Sequence, residues 1–185
     1  MHECRIQLIC RPSIKADRQG RFALPDAPAE SCEPALAPIT MTADEKLLAA
    51  PERRASDAAR GLWPQGVWCS EPALAECHMG RWRGMALKQL PPQALAEWLA
   101  TPEAAPHGGE SLQRQRQRVG QWLEAMRDDT QRITAVTHAS VMRAAMAHAL
   151  DIETAVAGRI DIEPLAVVTL YWRGQWRYRL TSARG

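Results

Sequence analysis

The chain has 185 residues, enough for one domain with a full-sized core. Hydrophobic residues make up 46% and charged residues 24%, ordinary for a folded soluble domain, and a net charge of +2 is too small to argue for nucleic acid. No apolar run is long enough to span a bilayer, the N-terminus lacks the apolar core of a secretory signal, and the five cysteines (Cys4, Cys10, Cys32, Cys69, Cys77) show no metal-like pairing, so they read as free thiols of a cytoplasmic protein.

The first predicted element is a short buried strand, Ile6 to Cys10. Pro25, Pro28, Pro34 and Pro38 then exclude a regular helix over 23–43 and predict an irregular path. Glu45 to Ala49 reads as a second short strand, and Pro51 opens a helix through Leu62, where its missing N–H costs nothing. Trp63 to Gly84 reads as a loop holding three of the seven tryptophans, several of which are expected at clefts or interfaces as well as in the core. Pro91 to Leu99 is a short helix. Gly108-Gly109 breaks the chain before a longer helix to Met126, with Leu112, Val119, Trp122, Leu123 and Met126 on one face. A strand over 132–137 and a helix over 139–150 follow. Leu165 to Trp172 and Gln175 to Leu180 flank Arg173-Gly174, a tight hairpin signal. This alternation predicts an α/β fold: a three-layer α/β/α sandwich with a mostly parallel sheet and an antiparallel C-terminal hairpin, in a single domain over 1–185.

The 132–137 strand ends on His138 and turns at once into a helix. That junction lies at the carboxyl edge of the sheet, beside the free N–H groups of a helix start, where α/β folds bind anions and small ligands. Three other segments join it in order. They are Ala50-Pro51-Glu52-Arg53-Arg54-Ala55, Leu74-Ala75-Glu76 with Gly80-Arg81-Trp82-Arg83-Gly84, and Pro106-His107-Gly108-Gly109-Glu110-Ser111. Together these segments resemble the histidine phosphatase superfamily, the group that includes the cofactor-dependent phosphoglycerate mutases. The resemblance implies a phosphoglycerate mutase-like domain in which an imidazole from the first strand attacks phosphorus, arginines and a second histidine hold the phosphoryl oxygens, and a glutamate protonates the leaving oxygen. It implies Arg54 as a phosphate clamp, Glu76 as general acid, His138 as the second pocket histidine, and the Ala139 N–H as a further anion donor. Taken singly, Arg54 reads as a solvated charge, Glu76 as a loop residue and His138 as a core histidine; only the joint pattern favours a pocket. Trp82, Gly80 and Gly84 read as structural, packing the loop over the site. No cofactor and no metal are expected.

The first strand departs from the family, which ends it Arg-His-Gly. Here Cys10-Arg11-Pro12-Ser13 stands instead. Counting back from Gly20-Arg21-Phe22 puts Arg11 in the place of the nucleophile; shifting by one puts Pro12 there. Neither register supplies an imidazole, and neither a guanidinium nor a pyrrolidine ring can attack phosphorus. Cys10 is a possible substitute nucleophile if nearby arginines lower its pKa; otherwise it is a small buried hydrophobe. His78 and His107 read as surface histidines. Arg114-Gln115-Arg116-Gln117-Arg118 reads as a solvated helix face. The expected protein is thus a degenerate relative that binds a phosphate or small phosphorylated ligand, with Arg11 adding affinity. The alternative is an active phosphomonoesterase with a substituted nucleophile. A homodimer or partner contact is expected near the proline-rich segment, which replaces a covering helix of the family.

Overall fold

Three short apolar runs build the centre of a six-stranded sheet. They are β1 (Cys4–Cys10), β2 (Glu45–Ala49) and β4 (Arg132–Thr137). β4 lies between β2 and β1 and is parallel to both. β3 (Trp68–Ser70) extends the β2 edge in parallel, while β5 (Val167–Trp172) and β6 (Trp176–Arg179) add an antiparallel hairpin on the β1 side, giving the order β3-β2-β4-β1-β5-β6. The structure, a computed structural model, describes residues 4–29, 45–128 and 132–179.

β1 and β4 bury residues on both faces, as helices on the two sides of a central parallel sheet require. Ile6, Leu8, Ile133, Ala135 and Leu170 are fully buried there. Each large side chain among them contributes about 1.5–3 kcal/mol by leaving water. Helix α2 (Arg53–Leu62) turns Ala55, Ala58, Ala59 and Leu62 inward and packs on β2 and β4; three alanines let it approach closely. Helix α4 (Leu112–Met126) starts at Ser111, whose hydroxyl accepts the Arg114 N–H, and packs along α5 (Ala139–Ala149). Short helices α1 (Lys15–Arg18), α3 (Pro92–Ala100) and α6 (Thr154–Ala157) complete the set.

A second, smaller core sits under the loop after β3. Cys77, Met79, Trp82 and Leu90 are buried, with Phe22, Trp98 and Leu112 packed on them. Gly80 takes a positive φ of 48°, and a side chain there would meet the His107 carbonyl oxygen at 2.1 Å. The Trp82 loop is structural, as its glycines suggested.

Several expectations change. The stretch from Trp63 to Gly84 contains β3, whose three residues are too few to show periodicity. His107 is not a surface residue: it is 1% exposed, its Nδ1 accepts the Gly109 N–H at 3.0 Å, and the Trp82 ring lies 5.0 Å away. The 114–118 run is a solvated face only in part: Arg114 and Gln117 are exposed. Arg118 pairs with Glu110 and donates to the carbonyls of Ala73 and Ala75, Arg116 donates to the Ala147 carbonyl, and Gln115 is buried. Most of the proline-rich segment, where a second chain was expected to dock, lies outside the described residues. Residues 23–29 carry no helix or strand.

Candidate functional site

The carboxyl ends of the central strands meet at one point. Cys10 is level with Thr137, and the Arg11 N–H donates to the Thr137 carbonyl at 2.8 Å, so Arg11 and His138 leave adjacent strand ends side by side. On the other flank the Ala50 N–H donates to the Val136 carbonyl at 2.8 Å, which brings Glu52 and the start of α2 to the same place. The loop after β3 delivers Glu76. These ends line a cleft of about 610 Å³ whose floor holds Cys10, Arg11, Glu52, Arg54, Glu76 and Ala139.

His138 is fully buried and has both ring nitrogens engaged. Nε2 lies 2.8 Å from Glu52 Oε2, and Arg11 Nε–H donates to Nδ1 at 3.1 Å. A guanidinium nitrogen can only donate, so Nδ1 is an acceptor and Nε2 carries the proton toward Glu52. Glu76 Oε2 stands 3.5 Å from Nδ1. The other Glu52 oxygen accepts the Glu76 N–H at 3.0 Å. Burial pushes the Glu52 carboxyl up, but the hydrogen bond from His138 and the nearby Arg54 outweigh it and hold it at about 2.

Arg54, 2% exposed, forms an ion pair with Glu76 and donates to the Leu24 carbonyl at 2.9 Å. Its Nε–H is buried with no acceptor among the described residues. Burial would raise the Glu76 carboxyl; His138, Arg54 and Arg11 outweigh it and keep it below the usual carboxylate range. Arg11 makes a bidentate pair with Asp17, at 2.6 and 3.0 Å, and donates to its neighbour's Pro12 carbonyl. Asp17 also accepts the Ile14 N–H at 2.9 Å. Its pKa is lowered: burial opposes the change, and the hydrogen bond from Arg11 prevails. The floor therefore holds two cation–carboxylate pairs, Arg11 with Asp17 and Arg54 with Glu76, beside the His138–Glu52 hydrogen bond.

The structure brings together Cys10, Arg11, Arg54, Glu76, His138 and Ala139, all singled out from sequence. It adds Glu52 and Asp17, which no motif marked. The one available signal for Glu52 was its place two residues before Arg54, at the opening of the same helix. Cys10 is 5% exposed; burial raises its thiol pKa more than Arg11 and Arg143 lower it, so it stays protonated at neutral pH. His78 is exposed, and its Nδ1 accepts the Gly80 N–H at 3.1 Å. Among the described residues no cluster of histidine, cysteine, aspartate or glutamate is arranged to hold a metal ion, and no helix is long and apolar enough to cross a membrane.

The family model of the histidine phosphatase superfamily (branch 1) matches residues 26–182. The chain belongs to that superfamily. The matched span begins beyond β1 and Arg11, the part of the chain that departs from the family pattern. No curated protein matches the chain significantly in sequence. Among solved structures, a mycobacterial hydrolase is 20% identical with a TM-score of 0.75, over 99% of this chain and 100% of that one. A mutant phosphoserine phosphatase from Entamoeba histolytica, in complex with phosphoserine, is 14% identical with a TM-score of 0.75, over 95% and 94%. A mycobacterial glucosyl-3-phosphoglycerate phosphatase, in complex with VO3, is 22% identical with a TM-score of 0.72, over 95% and 97%. The fold is that of the phosphoglycerate mutase-like phosphatases, and membership of the superfamily supports a phosphatase-like function.

Proposed function

We propose that this protein is a degenerate member of its superfamily. It binds a phosphate or phosphoester at the ends of β1, β2 and β4 and has lost phosphohistidine catalysis. The observation that carries the reading is the Arg11–His138 hydrogen bond. The residue level with His138 on the neighbouring strand end, where the family resemblance expects a nucleophilic imidazole, is a permanently protonated guanidinium with no lone pair for phosphorus. Support for an anion comes from Arg11, Arg54 and Ala139 lining one cleft and from the buried Arg54 Nε–H, which has no acceptor among the described residues. Neighbours with phosphoserine or VO3 bound support an anion of that class. Affinity in the ground state without a nucleophile is binding and not rate acceleration. A pairing of two chains through the proline-rich segment belongs to the same proposal.

A hydrolytic reading has one observation in its favour. Glu52 holds the His138 Nε2–H, which leaves the Nδ1 lone pair to the Arg11 Nε–H, so Nδ1 could act as a general base once Arg11 turns toward phosphate. Cys10 offers no such support, since its thiol is buried and protonated.

Calorimetry with inorganic phosphate and a broad panel of phosphomonoesters separates the readings. The proposal expects phosphate binding that weakens at least roughly tenfold in Arg54→Gln, with no turnover above the blank. Circular dichroism checks that the variant is folded. Turnover that vanishes in His138→Ala overturns it in favour of hydrolysis. No phosphate binding in the unaltered protein overturns both.

A further inference from the structure

Above its charged floor the cleft is lined by apolar side chains. Phe22, Met79, Leu87, Trp98, Leu99 and Leu112 form one wall. That wall is rigid at its base: Phe22 stacks on Trp82 with centroids 5.9 Å apart, and Trp98 meets both rings edge-on at 5.9 and 6.0 Å. At the rim it is exposed. Leu99 is 63% and Leu87 45% accessible, and Leu24, between cleft residues Ala23 and Pro25, is 50% accessible. Leu87 and Leu99 both line the cleft and keep apolar surface open to water, surface that a ligand seated in the cleft would cover. Elsewhere the lining is mixed. Ala144, Ala157, Ile162 and Pro164 are apolar, Gln115 spends an amide N–H on Ser140 and Thr154 its hydroxyl on Gln113, and Ser13, Arg21, Arg83 and Arg143 also reach the cleft.

The volume, about 610 Å³, far exceeds an orthophosphate and falls in the range that encloses a whole small molecule. A hydroxyl-rich alcohol seated against Phe22, Trp98 and Leu99 would lose water without gaining partners. We infer that the ligand is a phosphate monoester whose alcohol part is apolar, an aryl or alkyl group seated against Trp98 and Leu99 while its phosphate meets Arg11 and Arg54. This inference rests on the phosphate-binding reading of the floor and specifies what lies beyond it.

The test is calorimetric competition against inorganic phosphate with four probes: phenyl phosphate, hexyl phosphate, glycerol phosphate and O-phosphoserine. The two apolar esters are expected to bind about ten- to fiftyfold tighter than the two polar ones, the gain from burying a ring or short chain. Leu99→Asp, at an exposed position remote from the floor, is expected to remove most of that advantage while leaving affinity for inorganic phosphate unchanged. Trp98→Ala serves as a second variant with the same expectation. Equal affinities for all four esters, with inorganic phosphate still bound, overturn the inference and leave the phosphate site standing. Equal affinities together with a two-chain mass that falls to one chain in Leu99→Asp assign the rim to a second copy of this chain and likewise overturn it. Loss of inorganic phosphate binding in the unaltered protein overturns floor and wall together.

Discussion

The ends of β1 and β4 are adjacent, parallel and equally buried, yet they present opposite chemistry. β4 ends on His138, an imidazole that can donate, accept or carry a proton. β1 ends on Arg11, which can only donate. The difference reaches beyond one side chain. A guanidinium beside a buried imidazole needs an anion of its own, and Asp17 from α1 supplies it in bidentate geometry. Glu52 supplies the counterpart for His138. The pocket thus holds two buried guanidinium groups that are already paired internally, Arg11 with Asp17 and Arg54 with Glu76. On the proposed reading, fold and anion binding outlast a change at one strand end that removes nucleophilic chemistry, because the fold rests on packing of both strands and the nucleophile on a single lone pair.

The sharpest way to break this contrast is to make the two strand ends alike. Arg11→His is expected to create a phosphomonoesterase, with turnover roughly a hundred- to thousandfold above the parent and an acid-labile phosphate trapped on the protein. Rapid-quench labelling followed by mass mapping to residue 11 checks it. A folded variant that binds phosphate and transfers none would mean that Glu52 and Asp17, and not Arg11 alone, have closed the catalytic route.

A smaller effect tests the carboxylate behind His138. The Glu52 pKa is depressed in the folded protein to about 2 from the ordinary 4.5. Its contribution to stability is therefore fully present above the unfolded value and is lost as pH falls through the folded one. Over pH 4.5 to 2 that loss amounts to about 3 kcal/mol. Denaturant melts of the parent are expected to steepen in this window, and Glu52→Gln to flatten it. An unchanged acid limb in the variant would place the acid sensitivity on Asp17 or Glu76.

What could be read from sequence divides along the same line. The β4–α5 junction was legible because everything it needs is local: an apolar run, a histidine, an alanine-rich helix. Arg54, Glu76 and Ala139 were legible through ordered motifs. Glu52 and Asp17 were not, since a carboxylate acquires its role only from the partner it meets, and Glu52 meets His138 across 86 positions of chain. His107 was misread for a related reason. A Pro-His-Gly-Gly turn looks exposed until Trp82 and Trp98, from other segments, close over it. The 114–118 run was legible only in part, because a helix face shows its charge but not the carbonyls that Arg116 and Arg118 meet.

The last expectation concerns the remaining nucleophile at the β1 end and predicts an absence of reaction. Cys10 is raised by burial, and Cys77 is pushed up to about 12 by burial and the neighbouring Glu110. At pH 8 a thiol of that pKa is ionised to only about one part in ten thousand, and the thiolate is the reactive form. Cys69, in contrast, is exposed on edge strand β3. An aromatic disulfide reagent with peptide mapping is expected to label Cys69 in the folded protein, with Cys10 and Cys77 labelled only after unfolding. Phosphate is expected to leave the Cys69 rate unchanged. Labelling of Cys10 in the folded protein at a rate near that of Cys69, with protection by phosphate, would put a live nucleophile beside Arg11. The end of β1 would then have replaced its chemistry instead of losing it.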